Sequence, residues 1–408
     1  MVTLTSADNA LKKIYLEVVS NQLNDKVNPL LSKIEQTTAD VFGKEIIKIA
    51  PFGINGGIGA GTEDGALPTA SSNSYVKFVS ELKNLYGKIE ISDKAVRASE
   101  HSVGAFVNLL NAEMEGLIKA STFNFGRMLY GDGSGKIGTI KSVSNGVLTL
   151  DTVKSCIEGM VVDFYAADGT KISAMNGAKI TSVDRKNKAI TVSKTLDASV
   201  VATGFITVQG SKDNELTGLG KIFASTGTLY GVDRSTNAWL VPHMDATEKV
   251  ITDAVIQEAI DALDENVGSQ VDYISCSYDV KRFYQNYLSQ NKRNIDIMDL
   301  EGGYKAMSYS GVPVVADRFV EDGTMYLLNT KDFALHQLCD WQWLEGEDGK
   351  VLKQNAGYAT YAATLVKYAD LICDKPAGQA KISGIVESIE EETEEEPEVD
   401  TEQHGENL

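Results

Sequence analysis

The chain has 408 residues, 43 % apolar and 23 % charged, with a formal net charge of −19; at ~100–200 residues per domain this is room for two to four domains of ordinary globular composition. Eleven acidic residues and no basic one fall between Glu387 and Glu406, which leaves −8 for the rest, and there are seven arginines in all; this argues against nucleic-acid binding, which needs a dense cationic stripe to release phosphate counterions. No apolar run reaches the ~18–20 residues of a membrane helix, the longest lying near Val200–Val208, and Met1-Val2-Thr3-Leu4-Thr5 does not open a secretory signal.

Leu11, Ile14, Tyr15, Val18 and Leu23 recur at helical spacing, which predicts an amphipathic N-terminal helix. Pro29 then opens a second short helix carrying Leu30, Ile34 and Val41. Two β-like stretches follow, Glu45–Phe52 and Tyr75–Ser92, and they flank a glycine-rich run that begins Phe52-Gly53-Ile54-Asn55-Gly56-Gly57-Ile58-Gly59-Ala60-Gly61. The expectation is one long hairpin with a flexible tip of about twenty residues, a length that is unusual inside a compact domain and often functional.

Val103, Phe106, Val107, Leu110, Met114, Leu117, Ile118, Ser121, Phe125, Met128 and Leu129 form one helical stripe within Ser102–Tyr130. At ~1.5 Å per residue this helix is roughly 40 Å long, and Gly131 stands where a left-handed cap belongs. From Ile137 to Val208 short strands alternate with turns such as Asn145-Gly146 and Asp168-Gly169, the texture of a small all-β unit. Mixed α/β sequence follows: a helix over Ala246–Asn266 with Val250, Ala254, Ile256, Ile260 and Leu263 inward, a strand at Tyr273–Ser277 and a helix over Val280–Gln290. Strands at Val312–Ala316 and Thr324–Leu328 and extended segments at Phe333–Leu344 and Tyr358–Ile372 complete it. The glutamate-rich tail after Ser383 has the composition of disorder.

The chemistry-bearing candidates fail in context. Gly57-Ile58-Gly59-Ala60-Gly61 leads into Thr62-Glu63-Asp64-Gly65 and Pro68, not into the helix N-terminus that a phosphate loop needs. Gly131-Asp132-Gly133-Ser134-Gly135 has Asp132 where a nucleophile elbow needs glycine, and a helix where it needs a strand. His101, His243, His336 and His404 have no zinc-ligand spacing. Glu345-Gly346-Glu347-Asp348-Gly349 lacks the ligand alternation of a calcium loop. Cys156, Cys276, Cys339 and Cys373 form no CxxC, which fits a reducing compartment better than a disulfide scaffold. Trp341 and Trp343 share one side of a strand, which favours packing. Contacts between subunits fit these parts better than an enclosed substrate.

In order and spacing the parts resemble the major capsid proteins of tailed bacteriophages, with the HK97-type shell fold. The hairpin at Glu45–Ser92 is similar to that family's E-loop, and Ser102–Tyr130 with Gly131-Asp132-Gly133-Ser134-Gly135 resembles its spine helix and junction. Gly218-Leu219, Gly311-Val312-Pro313-Val314-Val315-Ala316-Asp317 and Asp322–Leu328 resemble later landmarks, so the all-β unit looks like an insertion.

The resemblance implies an α+β chain arranged as an N-terminal arm (1–44), E-loop hairpin (45–93), peripheral domain with spine helix (94–136), inserted β-rich domain (137–215), axial domain (216–322), peripheral strands returning to the axial domain (323–382) and acidic tail (383–408). It implies a non-enzymatic subunit, without cofactor or metal, that forms pentamers and hexamers of an icosahedral virion shell around double-stranded DNA. The partners implied are scaffolding, portal and maturation proteins, with no membrane and with assembly in the bacterial cytoplasm. Gly56, Gly57, Gly59, Gly61, Tyr75 and Phe78 are the expected inter-subunit contacts. Some members cross-link through a loop lysine, but 52–75 holds none and Lys77 is the nearest, so a non-covalent shell is expected. About 45 residues precede the hairpin, fewer than a fused scaffold would need, so scaffolding is separate or the chain is processed. An encapsulin nanocompartment shares the fold and is the alternative; a nucleotide-binding enzyme using Gly57–Gly61 is the reading from another class.

Overall fold

The structure, a computed structural model, describes residues 28–94, 103–290, 297–299, 305–346 and 349–388. The expected helix at Leu11–Leu23 lies outside the described residues, as does the expected tail (383–408) from 389 onward. The first residues of that tail are not irregular, because Ile385–Val386 form a strand paired with Lys249–Val250.

Pro29 opens only a 3-10 turn, Leu31–Lys33. Asn28 Oδ1 accepts from the Leu30 and Leu31 amides at 3.1 and 3.2 Å and caps the turn. Beyond it the chain is extended: β1 is Glu35–Thr37 and β2 is Val41–Phe42. Val41 is therefore in a strand, not in the expected helix. β3 (Glu45–Phe52) and β4 (Ser74–Glu81) form the hairpin, antiparallel from Glu45↔Glu81 to Phe52↔Ser74. The expected strand Tyr75–Ser92 divides at Leu82, whose amide bonds Lys44 O at 3.0 Å, and β5 (Lys83–Ser92) leaves for another sheet.

The long helix is α1, Val103–Tyr130. Met114, Ile118, Phe125, Met128 and Leu129 of its stripe are buried in the main core. Gly131 is not its left-handed cap. Gly133 and Gly135, at φ +82° and +77°, take the left-handed conformations and turn the chain into the β unit.

That unit closes. β6 (Lys136–Ser144), β7 (Val147–Leu150), β8 (Val161–Tyr165), β9 (Ala178–Asp184), β10 (Ala189–Val192) and β11 (Phe205–Val208) form a barrel of order β10-β7-β6-β11-β8-β9. Closure leaves no free edge, and the barrel fills with its own residues, among them Ile140, Leu148, Phe164, Met175 and Ile206.

Helix α2 (Leu219–Ile222) and the two-residue strands β12 (Thr228–Leu229) and β13 (Val232–Asp233) return the chain to the body. After β14 (His243–Asp245) and β15 (Lys249–Val250), α3 runs Asp253–Val267. It starts later than expected because Thr252 caps it, accepting from the Val255 amide at 3.3 Å. Val250 is in a strand and Ala254 is exposed, whereas Ile256, Ala259 and Leu263 face inward. Strand β16 (Tyr273–Cys276), helix α4 (Tyr278–Gln290), β17 (Ile297–Asp299), β18 (Lys305–Tyr309), β19 (Val312–Ala316) and β20 (Met325–Leu328) follow. β21 (Phe333–Trp343), β22 (Lys353–Gln354), β23 (Thr360–Cys373), β24 (Ala380–Ile382) and β25 (Ile385–Val386) complete the described chain.

Two sheets organise these strands. A mixed seven-stranded sheet has the order β14-β24-β20-β16-β19-β18-β17 and shares a core with α3 and α4. In the other sheet β23 pairs β21 and β22, β1 lies parallel to β21, and β5 pairs β23 over ten residues. The main core lies between this sheet, α1 and the hairpin base. Trp341 and Trp343 both point into it, 5 % exposed. No described helix is long and apolar enough to cross a membrane.

Candidate assembly interface

The hairpin is anchored at its base and open at its tip. Phe52 stacks on Trp239 at 5.3 Å, and Phe78 packs on Tyr230 at 5.4 Å and on Trp239 at 6.0 Å. The Val79 amide donates to Tyr230 O at 2.9 Å. Lys48 Nζ pairs with Asp374 at 2.6 Å, and Ser80 Oγ donates to Asp370 at 2.5 Å. Asp370 is buried and also accepts from the Thr217 amide and hydroxyl at 2.7 and 3.0 Å. Burial outweighs these bonds and pushes its carboxyl pKa up. Phe78, 1 % exposed, thus packs within its own chain.

Beyond Phe52 the chain is irregular until Ser74 and nearly all of it is exposed. Gly56, Gly59, Gly61 and Tyr75 are exposed, and Gly57 is half-buried. A Cβ at Gly57 would stand 3.2 Å from the Ser71 amide nitrogen, and one at Gly59 3.1 Å from Pro68 Cγ; the small residues let the two limbs of the tip approach. A strand follows the loop, not a helix, so no helix N-terminus faces an anion there. The sequence reading missed the apolar side chains between the glycines: Ile54, Ile58 and Leu67 are 79, 75 and 90 % exposed. The signal for them is three aliphatic residues inside a run of Gly, Ser and Thr. Three exposed aliphatics are thus concentrated on one element, and covering each would be worth about 1.5–3 kcal/mol.

The other candidates resolve into structure. Ser134 Oγ donates to Asp132 Oδ1 at 2.6 Å and its amide to the same atom at 2.9 Å, a side-chain turn and not a nucleophile. His336 is buried, with Nδ1 2.8 Å from Ala39 O. Among the described residues no three His, Cys, Asp or Glu side chains group as metal ligands. At the foot of the barrel, buried Arg127 pairs with buried Glu215 through both terminal nitrogens, Nη1 at 2.9 Å, while Asn124 Oδ1 accepts from Nε and Nη2 at 3.2 and 2.8 Å. A Cβ at Gly218 would collide with the Met128, Leu129 and Gly131 carbonyls, so glycine lets the returning chain press against the end of α1.

In its fold the chain is similar to a subunit of the cyanophage A-1(L) capsid, with TM-score 0.51 and 12 % identity over 90 % of this chain and 92 % of that one. The fold is that of an HK97-type capsid subunit. The SrpI encapsulin of Synechococcus elongatus PCC 7942 aligns with TM-score 0.46 and 9 % identity over 94 % and 92 % of the two chains. The capsid of Myoviridae phage XM1 aligns with TM-score 0.46 and 11 % identity over 88 % and 92 %. No family model and no curated protein matches the sequence.

Proposed function

We propose that this chain is the major structural subunit of an icosahedral phage shell. The exposed aliphatic tip of the hairpin carries the reading: Ile54, Ile58 and Leu67 have no cover within the described chain, and the fold is shared with a capsid subunit. Copies associate as pentamers and hexamers, each hairpin lying as an E-loop on the adjacent subunit with Gly56, Gly57, Gly59, Gly61 and Tyr75 at the contact. The subunit is non-enzymatic, works with separate scaffolding, portal and maturation proteins, and encloses double-stranded DNA in the virion. A body that is acidic overall supports this reading, because a strongly basic wall would hold packaged DNA.

Negative-stain microscopy of the purified chain tests the proposal. Uniform closed particles are expected; a stable monomer at high concentration would overturn it. Particles of infected cells should carry DNA, whereas a cargo enzyme in place of DNA would point to a nanocompartment. On a denaturing gel, assembled particles should run as single chains, because residues 52–75 contain no lysine.

A further inference from the structure

We propose that the acidic segment 389–408 docks on its own chain, in a cationic cleft between the end of the barrel and α4. The cleft has a volume of about 570 Å³, and Lys119, Lys281 and Arg318 are among its lining residues, with Ile157 from the barrel side. The Arg318 guanidinium lies 4.7 Å from the Phe123 ring. Asp317, also lining the cleft, is buried, and burial holds its carboxyl above the ordinary range.

The barrel adds a second set of cations at that edge. Arg185, Lys186 and Lys188 are exposed on the β9–β10 turn. Arg185 Nη1 lies 4.0 Å from Glu158, the neighbour of Ile157. Lys186 and Lys188 make no ion pair among the described residues. Asp184 is occupied within the turn, accepting from the Lys186 and Asn187 amides at 3.0 Å each.

The described chain ends against the 322–323 turn and α4. The Ile385 amide donates to Gly323 O at 3.0 Å. One residue away, Asp322 pairs with Lys154 of the barrel at 2.6 Å, and Leu150, four residues before Lys154, bonds Lys188 O through its amide at 2.8 Å. On the α4 side, Asn286 Nδ2 donates to Glu387 Oε1 at 3.4 Å, five residues from Lys281. Segment 389–408 follows Glu387 at α4, and its twenty residues reach as far as roughly 65 Å when extended, enough to span both cationic sets.

Charge selects the occupant. Segment 389–408 has ten acidic residues and no lysine or arginine, whereas residues 1–27, which join the cleft through Pro29, have three of each sign. Docked, the tail is an internal polyanion that covers the cleft against external ones. The inference rests on charge and placement and is independent of the shell reading.

Cleavage of the full-length, dissociated subunit by a glutamate-specific protease tests it. At low salt, cutting at Glu398 and Glu402 should accelerate about tenfold in the Arg185→Glu/Lys186→Glu/Lys188→Glu variant, the effect of three exposed pairs lost together. About 0.5 M salt should accelerate the wild type similarly by screening, and Lys353→Glu should change nothing. Adding Glu391→Lys/Glu392→Lys/Glu394→Lys to the first variant should restore protection, which no folding defect explains. Equal rates in all variants would overturn the docking. So would protection seen only in assembled particles, or protection of Lys12 and Lys13 against trypsin that the same turn variant removes, which would assign the cleft to the N-terminal segment.

Discussion

In the barrel, Ile140, Leu148, Phe164 and Ile206 are at most 1 % exposed, whereas in the hairpin Ile49, Ile54, Ile58 and Leu67 are between 65 and 90 % exposed. Both regions are antiparallel strands joined by glycine turns, and both contain β-branched aliphatics. The difference is closure. Six strands that return on themselves have an inside and no free edge. The hairpin has one face on the body, through Ile46, Ala50 and Phe78, and a tip with no inside at all. The barrel completes its core alone; the hairpin tip leaves its aliphatics uncovered within the described chain.

Excision makes that contrast sharpest. Residues 53–73 can be replaced by Asn-Gly, because Phe52 and Ser74 are register partners and a two-residue turn fits there. The shortened chain should melt as the parent does, while closed particles disappear from micrographs. Replacing 137–209 by a short linker should do neither harm, since Gly135 and Ser211 already touch. Particles that survive loss of the tip, or vanish with the barrel, would reverse the assignment of which region serves assembly.

A smaller change asks whether barrel and body are separate cooperative units. Arg127 and Glu215 are 5 and 2 % exposed and tie α1 to the chain leaving the barrel. Glu215→Gln leaves a buried cation without its partner, which costs about 3–5 kcal/mol. In calorimetry the transition of the body should fall and that of the barrel stay in place. Arg127→Met added to Glu215→Gln should recover most of the loss, because no charge is then stranded. One merged transition that falls as a whole would show that the barrel does not stand alone.

The contrast also explains what was legible beforehand. Helix α1, the barrel strands and the shared side of Trp341 and Trp343 follow from local periodicity, which neighbours along the chain determine. The break at Leu82 was hidden because β5 belongs to β23, far downstream, and Val41 joined a strand because the chain after Pro29 lies along β21. At the site, the glycines announced an unusual loop. That Phe78 turns inward depends on Tyr230 and Trp239, which no local pattern shows. That Ile58 and Leu67 stay outside depends on the absence of any described partner above them.

The least expected effect concerns the sheet to which the hairpin is moored. Lys367 of β23 has no exposed surface; its Nζ is 2.8 Å from Asp340 and 5.8 and 5.9 Å from the Phe125 and Trp341 rings. Burial lowers its pKa, and the Asp340 carboxylate opposes that shift without cancelling it. Lys367→Met keeps the stem against the rings and removes only the ion pair of Asp340, which is half exposed and still accepts from the Trp341 amide at 2.8 Å. At neutral pH the variant should lie within about 1 kcal/mol of the wild type, as replacing buried ions by apolar residues of similar volume often does. The pH dependence carries the sign. The folded chain gives up this proton at lower pH than the unfolded chain, whose lysine titrates near ~10.4. Between those two values the unfolded state binds more protons, so wild-type stability rises with pH relative to Lys367→Met. Urea midpoints of the two proteins compared from pH 7 to about pH 10 should diverge in favour of the wild type. A constant gap would mean that Lys367 stays charged throughout, its burial fully offset by Asp340 and the aromatic rings.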